Sequence, residues 1–276
     1  MQHNILVPTD FSDNARNALD YALQLAKKLG STITVYHACQ IPTSGIHRPA
    51  PSIIEQEKQT TLLECRRKLK SLCKKASETG TGCFIEINIA PVHEGIMEVS
   101  RQTGAGMIVM GTRGGGGLSR WLLGSTTADI IQNSPIPVLA IPRNARYRHI
   151  EKIVFATDYH DSDFGFVGGL VQLASELGAE LSLLHVQTES GEFRSVALFD
   201  SFRNKIRDLF DYKGISFHLL ENEDVVSGIN KFANNYEANI ISMATSRKSL
   251  FDRIFSKSVT REMAYLTKIP LLAFHS

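Results

Sequence analysis

A chain of 276 residues that is 43% apolar and 21% charged suits two ordinary domains, each with a core of its own. Its 30 basic residues against 28 acidic ones leave a net charge of +2, which argues against a dedicated nucleic-acid binder with its concentrated positive field. No stretch approaches the roughly 20 apolar residues of a membrane span, and the opening MQHNILVPTDFSD lacks the apolar run of a secretory signal, so no membrane partner and a cytoplasmic location are expected.

The elements follow in chain order. Ile5-Leu6-Val7 is a fully apolar strand, and Ser12 is placed to cap the helix after it. Ala15, Leu19, Ala22, Leu23, Ala26 and Leu29 recur at helical spacing, and Gly30 ends that helix as a residue suited to left-handed backbone. Residues 32–38 form a second strand. A proline- and glycine-containing insertion (Pro42, Gly45, Pro49, Pro51) suggests an extended flap before a long amphipathic helix over about 53–79. Strands over 83–89, 107–110 and 138–141 alternate with helices near 94–103 and 126–132, and Pro137 and Pro142 around the last strand suit a sheet edge. The cysteines, Cys39, Cys65, Cys73 and Cys83, contain no C-x-x-C pair; they are expected to be reduced thiols in structural roles, with no metal site among them.

The second half repeats the first. NILVPTDFSD from Asn4 resembles KIVFATDYHD from Lys152, and at the same offset of 148 residues Leu29-Gly30 falls on Leu177-Gly178 and His37 on His185. Gly95-Ile96 matches Gly228-Ile229, Met110 matches Met243 and Ile136-Pro137 matches Ile269-Pro270, all at an offset of 133. The two offsets place an insertion of 15 residues in the first copy, between about 39 and 94. Alternating strands and helices give an α/β fold: an open, five-stranded parallel sheet in each copy with helices on both faces. The expected domains are 1–144 and 150–276, joined by a short polar linker.

Open α/β sheets bind ligands beyond the carboxyl ends of their strands. Three stretches of the first copy lie there: Pro8-Thr9-Asp10, His37-Ala38-Cys39, and Gly111 to Thr127. The third is built for an anion. Gly114 to Gly117 let backbone N–H groups approach a ligand without a Cβ in the way, and Gly124-Ser125-Thr126 opens a helix whose unpaired N–H groups favour phosphate. Arg113 or Arg120 could add charge. The loop is not a G-x-x-x-x-G-K-[ST] phosphate loop, and Gly104-Ala105-Gly106 precedes a strand instead of following one, which excludes a dinucleotide fingerprint. The paired histidines His37 and His185 read as packed, hydrogen-bonded side chains.

Gly111, Gly114, Gly124 and Ser125 fit G-x2-G-x9-G-[ST] without a gap, and Asp10 follows an apolar strand. On these motifs the chain resembles the universal stress protein family in its tandem form, across nearly all of both halves. The resemblance implies two Rossmann-like domains, with ATP and Mg²⁺ held in the first. Pro8, Thr9 and Asp10 would line adenine and ribose, and Ala38 would touch the base through its backbone. Gly111, Arg113 and Gly114 would border the ribose and phosphates, and Gly124, Ser125 and Thr126 would hold the phosphate chain. It also implies that residues 138–141 and 271–274 pair across a pseudo-twofold axis as an intramolecular pseudo-dimer, with room left for a homodimer.

The second copy departs from the pattern. Ala244, Arg247 and Ser256 replace the three glycines, with one residue deleted, so side chains stand where backbone must approach phosphate. A binding module with one ATP per chain is the expected function. A slow ATPase and a nucleotide-free scaffold are the alternatives. The S-G-G-x-D-S and H-I-G-H motifs of ATP-cleaving relatives of this architecture do not occur, and no catalytic residue is assigned.

Overall fold

The structure is a computed structural model and describes residues 4–40, 51–112, 124–159, 163–188, 192–245 and 268–275. In chain order the first half runs β1 (Asn4–Pro8), α1 (Asp13–Leu29), β2 (Thr32–Ala38), α2 (Pro51–Thr79), β3 (Cys83–Asn88), α3 (Val92–Gln102), β4 (Ala105–Gly111), α4 (Ser125–Asn133) and β5 (Val138–Ile141). The second half runs β6 (Lys152–Ala156), α5 (Asp163–Leu177), β7 (Glu180–Gln187), α6 (Glu192–Leu209), β8 (Ile215–Glu221), α7 (Val225–Asn235), β9 (Ile240–Thr245) and β10 (Leu271–His275).

Local chemistry sets the ends of α1. The Ser12 side chain accepts from the Ala15 N–H at 3.2 Å, and Gly30 turns left-handed at φ 63°, its N–H donating to the Ala26 carbonyl. The inner strands are rich in buried apolar residues because both of their faces are covered. Ile5 and Val7 point into a core with Leu19, Ala22 and Leu23 of α1, whereas Leu6 points into one with Ile96 of α3 and Ile130 of α4. In the second half, α5 and α6 share the first layer and α7 the second.

All ten strands form one sheet, in the order β3-β2-β1-β4-β5-β10-β9-β6-β7-β8. Each half contributes five parallel strands, and the halves meet where β5 pairs antiparallel with β10, Leu272 opposite Leu139. β5 is the outer strand of its own half's five, as Pro137 and Pro142 suggest, and in the joint sheet that edge is closed by β10. The prolines flank the paired residues, and the Pro137 carbonyl still accepts from the Ile108 N–H at 2.9 Å.

The insertion resolves largely into helix, since α2 has 29 residues and α6 has 18. Its upstream stretch, with Pro42, Gly45 and Pro49, lies outside the described residues. The expectation of reduced thiols holds for Cys39 and Cys65 and is corrected for the other two. Cys73, near the end of α2, and Cys83, at the start of β3, form a disulfide with their Cα atoms 5.7 Å apart. The return of the chain from α2 into β3 brings them within bridging range, which a spacing of ten residues does not reveal. Among the described residues no helix is long and apolar enough to cross a membrane.

Candidate functional site

Strand order reverses between β1, which leads outward to β2 and β3, and β4, which lies on its other side. The crevice beyond the carboxyl ends of β1 and β4 is where such sheets hold ligands, and the described candidate residues border it. Thr9 is held firmly: its N–H donates to the Tyr36 carbonyl at 2.8 Å, and its hydroxyl accepts from the Phe11 N–H at 3.0 Å. Phe11 takes a left-handed φ of 63°, which turns the chain sharply into α1. Asp10 stands exposed at the tip of this turn, where its Oδ1 accepts from the Ser12 N–H at 3.0 Å.

The histidine of β2 locks the same corner. His37 Nδ1 lies 2.7 Å from the Thr9 carbonyl, and because a carbonyl can only accept, Nδ1 carries the proton. The Phe11 ring packs on the imidazole at 4.5 Å between centroids. The second half rebuilds this arrangement residue for residue. His185 Nδ1 donates to the Thr157 carbonyl at 2.8 Å, and Tyr159, at φ 62°, stacks on His185 at 4.3 Å. Both histidines are thus packed, hydrogen-bonded side chains, as their position at strand ends indicated.

The halves differ behind the corner. The Thr157 hydroxyl donates to Asp163 at 2.6 Å, and that carboxylate is buried. Offset by 148, the first half has Ala15 at that position.

On the far side of the crevice, Gly111 ends β4 against α1. A Cβ on it would lie 2.9 Å from the Asn14 carbonyl oxygen, so the glycine is required by helix packing whether or not a ligand is present. The Thr127 hydroxyl donates to the Gly111 carbonyl at 2.9 Å, and the Gly124 N–H donates to the Thr112 carbonyl at 2.6 Å, which ties the start of α4 to the end of β4. Gly124 is the N-cap of α4 and supplies no side-chain cap, while Ser125 and Thr126 are exposed. Arg113, Gly114, the glycines to Gly117, and Arg120 lie outside the described residues. So do Arg247 and Ser256 of the second half, and the basic residues Lys248, Arg253 and Lys257 of the same stretch of sequence.

Ala38, the last residue of β2, pairs with Asn88 of β3, whose side chain accepts from the Tyr36 hydroxyl at 2.6 Å. Burial pushes the Tyr36 phenol up to about 12, against the lowering effect of that hydrogen bond. Burial also pushes the Cys39 thiol up to about 12, and the Cys65 thiol beside it adds to this.

Sequence reasoning missed Asn14 and Thr127. Asn14 backs Gly111, and its buried Oδ1 has no hydrogen-bond partner among the described residues. Thr127 anchors the start of α4, for which the Thr126-Thr127 pair was a weak signal. Two surface depressions, one along α3 from His93 to Gln102 and one between the halves near Arg146 and Lys268, share no residue with the crevice.

The family model for the universal stress protein family matches residues 1–142 and again 149–275. The chain belongs to the universal stress protein family. A universal stress protein of Methanocaldococcus jannaschii is 33% identical over 141 residues, covering 50% of this chain and 81% of that protein. Universal stress protein YxiE of Bacillus subtilis is 32% identical over 148 residues, covering 51% of this chain and 99% of that protein. The crystal structure of a universal stress protein from Archaeoglobus fulgidus superposes with a TM-score of 0.73 at 19% identity, over 99% of this chain and 96% of that one, which shows the shared fold.

Proposed function

We propose that this universal stress protein is a regulatory binding module holding one adenine nucleotide, ATP with Mg²⁺, in the crevice of its first half. The observation that carries this reading is the start of α4. Its N-cap is a glycine with no side-chain acceptor, so the first-turn N–H groups and the positive end of the helix dipole are left for a phosphate chain. Ser125 and Thr126 would donate to the phosphates, with Gly111, Arg113 and Gly114 along the ribose and phosphates. Pro8, Thr9, Asp10 and the Ala38 backbone would line adenosine. Mg²⁺ would neutralise part of the phosphate charge.

One site per chain is the expected stoichiometry. The Asp163 carboxylate behind the second corner and the side chains that replace glycine in the second half both weigh against a second nucleotide. That half then serves as the packed partner of the first. No residue of the crevice is assigned a catalytic role, and binding, with slow hydrolysis at most, is the reading put forward.

Isothermal titration with ATP and Mg²⁺ tests it, with one nucleotide bound per chain as the expected result. Gly124→Asp separates binding from folding. Its carboxylate caps α4 and adds a few tenths of a kcal/mol of stability, yet it repels phosphate. Affinity should fall at least tenfold with no loss of thermal stability. Absence of binding by the parent chain at millimolar nucleotide would refute the proposal.

A further inference from the structure

Beside the nucleotide crevice lies a second constellation that this reading does not use. One ring nitrogen of His37 and the sulfurs of Cys39 and Cys65 all lie within 4.8 Å of one another. His37 lies in β2 and Cys39 directly follows it, while Cys65 reaches over from α2. Both cysteines are free thiols, Cys39 at 1% and Cys65 at 8% exposure.

We propose that His37, Cys39 and Cys65 form a binding site for a soft or borderline divalent metal ion of the Zn²⁺ class. The ligand set and its support carry the assignment. The Nδ1–H of His37 is committed to the Thr9 carbonyl, which leaves Nε2 with a free lone pair and the ring fixed in orientation. A backbone carbonyl holding the far nitrogen is the outer-shell arrangement that metal-binding imidazoles use. Two thiolates and one imidazole select Zn²⁺ over the oxygen-seeking Mg²⁺ of a nucleotide, and three protein ligands leave a fourth position open.

The second half supplies an internal comparison. It keeps the histidine and its carbonyl bond, but Gln187 stands at the position equivalent to Cys39. The histidine corner is therefore common architecture, and the two cysteines are what the first half adds. Binding is written M²⁺ + 2 R–SH → M(SR)₂ + 2 H⁺. Each thiol gives up one proton, neither sulfur changes oxidation state, and neutral Nε2 donates its lone pair without proton loss.

The test uses the full chain carrying Cys73→Ser and Cys83→Ser, so that Cys39 and Cys65 are its only cysteines. It is titrated with Co²⁺ and then Zn²⁺, anaerobically and without nucleotide, so the outcome is independent of ATP binding. One Co²⁺ per chain is expected, with a thiolate-to-cobalt charge-transfer band that one equivalent of Zn²⁺ abolishes. His37→Ala, Cys39→Ser and Cys65→Ser should each weaken the metal by at least roughly ten- to hundredfold, the loss seen when even outer-shell partners are removed. Should those variants unfold, the parent still decides: Zn²⁺ must protect both thiols from alkylation. Substoichiometric cobalt, a band that survives in Cys65→Ser, or thiols that alkylate equally fast with and without Zn²⁺ would each overturn the proposal.

Discussion

Glycines that look alike in the sequence do different work at residue scale. Gly111 is required by the Asn14 backbone behind it, whereas Gly124, at φ −61° and ψ 143°, has a conformation open to any residue. Gly111→Ala is therefore expected to cost about 1–3 kcal/mol without any nucleotide, because a backbone atom cannot yield as a side chain can. Urea unfolding of the ligand-free chain checks this, and an unchanged midpoint would contradict it. Tyr36 provides a second prediction. Its phenol is held neutral by burial, with a folded pKa of about 12 against an ordinary 10. A raised folded pKa means that the folded state retains the proton longer, so this contribution is present below about pH 10 and is lost as pH rises towards 12. Tyr36→Phe should cost about 1 kcal/mol near neutrality, through loss of the Asn88 hydrogen bond. It should also make the alkaline loss of stability shallower. Part of that loss will remain, since burial raises Tyr21 and Tyr159 too. Urea midpoints measured from neutral to alkaline pH compare the two chains.

At the scale of elements, α2 carries most of what distinguishes the first half. It is eleven residues longer than α6, it brings Cys65 to Cys39, and its last turns are tied to β3 by Cys73–Cys83. Closing a loop of that size restricts the unfolded chain by about 2–3 kcal/mol in the chain-entropy description. Reduction, or Cys73→Ser together with Cys83→Ser, is expected to lower the urea midpoint by a corresponding amount. A midpoint unaffected by reductant would show that the crosslink contributes nothing. Because the crosslink acts on the unfolded chain, its loss lets that chain expand, and the slope of the transition should rise.

For the whole molecule, the antiparallel seam decides whether there are two folding units or one. Leu139 and Leu272 face each other across it, each 1% exposed, and both core layers contain residues from both halves. Leu272→Ala is expected to cost about 2–5 kcal/mol and to destabilise both halves together. In scanning calorimetry the parent should show one transition whose calorimetric and van't Hoff enthalpies agree. Two resolved transitions would mean that the halves unfold separately.

The sequence by itself determined the repeat and an open, five-stranded parallel sheet in each half. Apolar runs, caps and glycine stops are local signals, and in-chain repetition doubles each of them. It also marked Thr9, Asp10, Ala38, Gly111, Gly124, Ser125 and Thr126 as neighbours of one sheet edge, because alternating strands and helices send every strand's carboxyl end to the same side. Tertiary structure decided what depends on approach between distant segments. Only the return of α2 over the sheet pairs Cys73 with Cys83 and sets Cys65 beside His37 and Cys39. Only the packing of α1 on β4 shows that Gly111 answers to Asn14. These contacts are fixed by crossing angle and the direction of a side chain at the point of contact, neither of which leaves a periodic trace in the sequence.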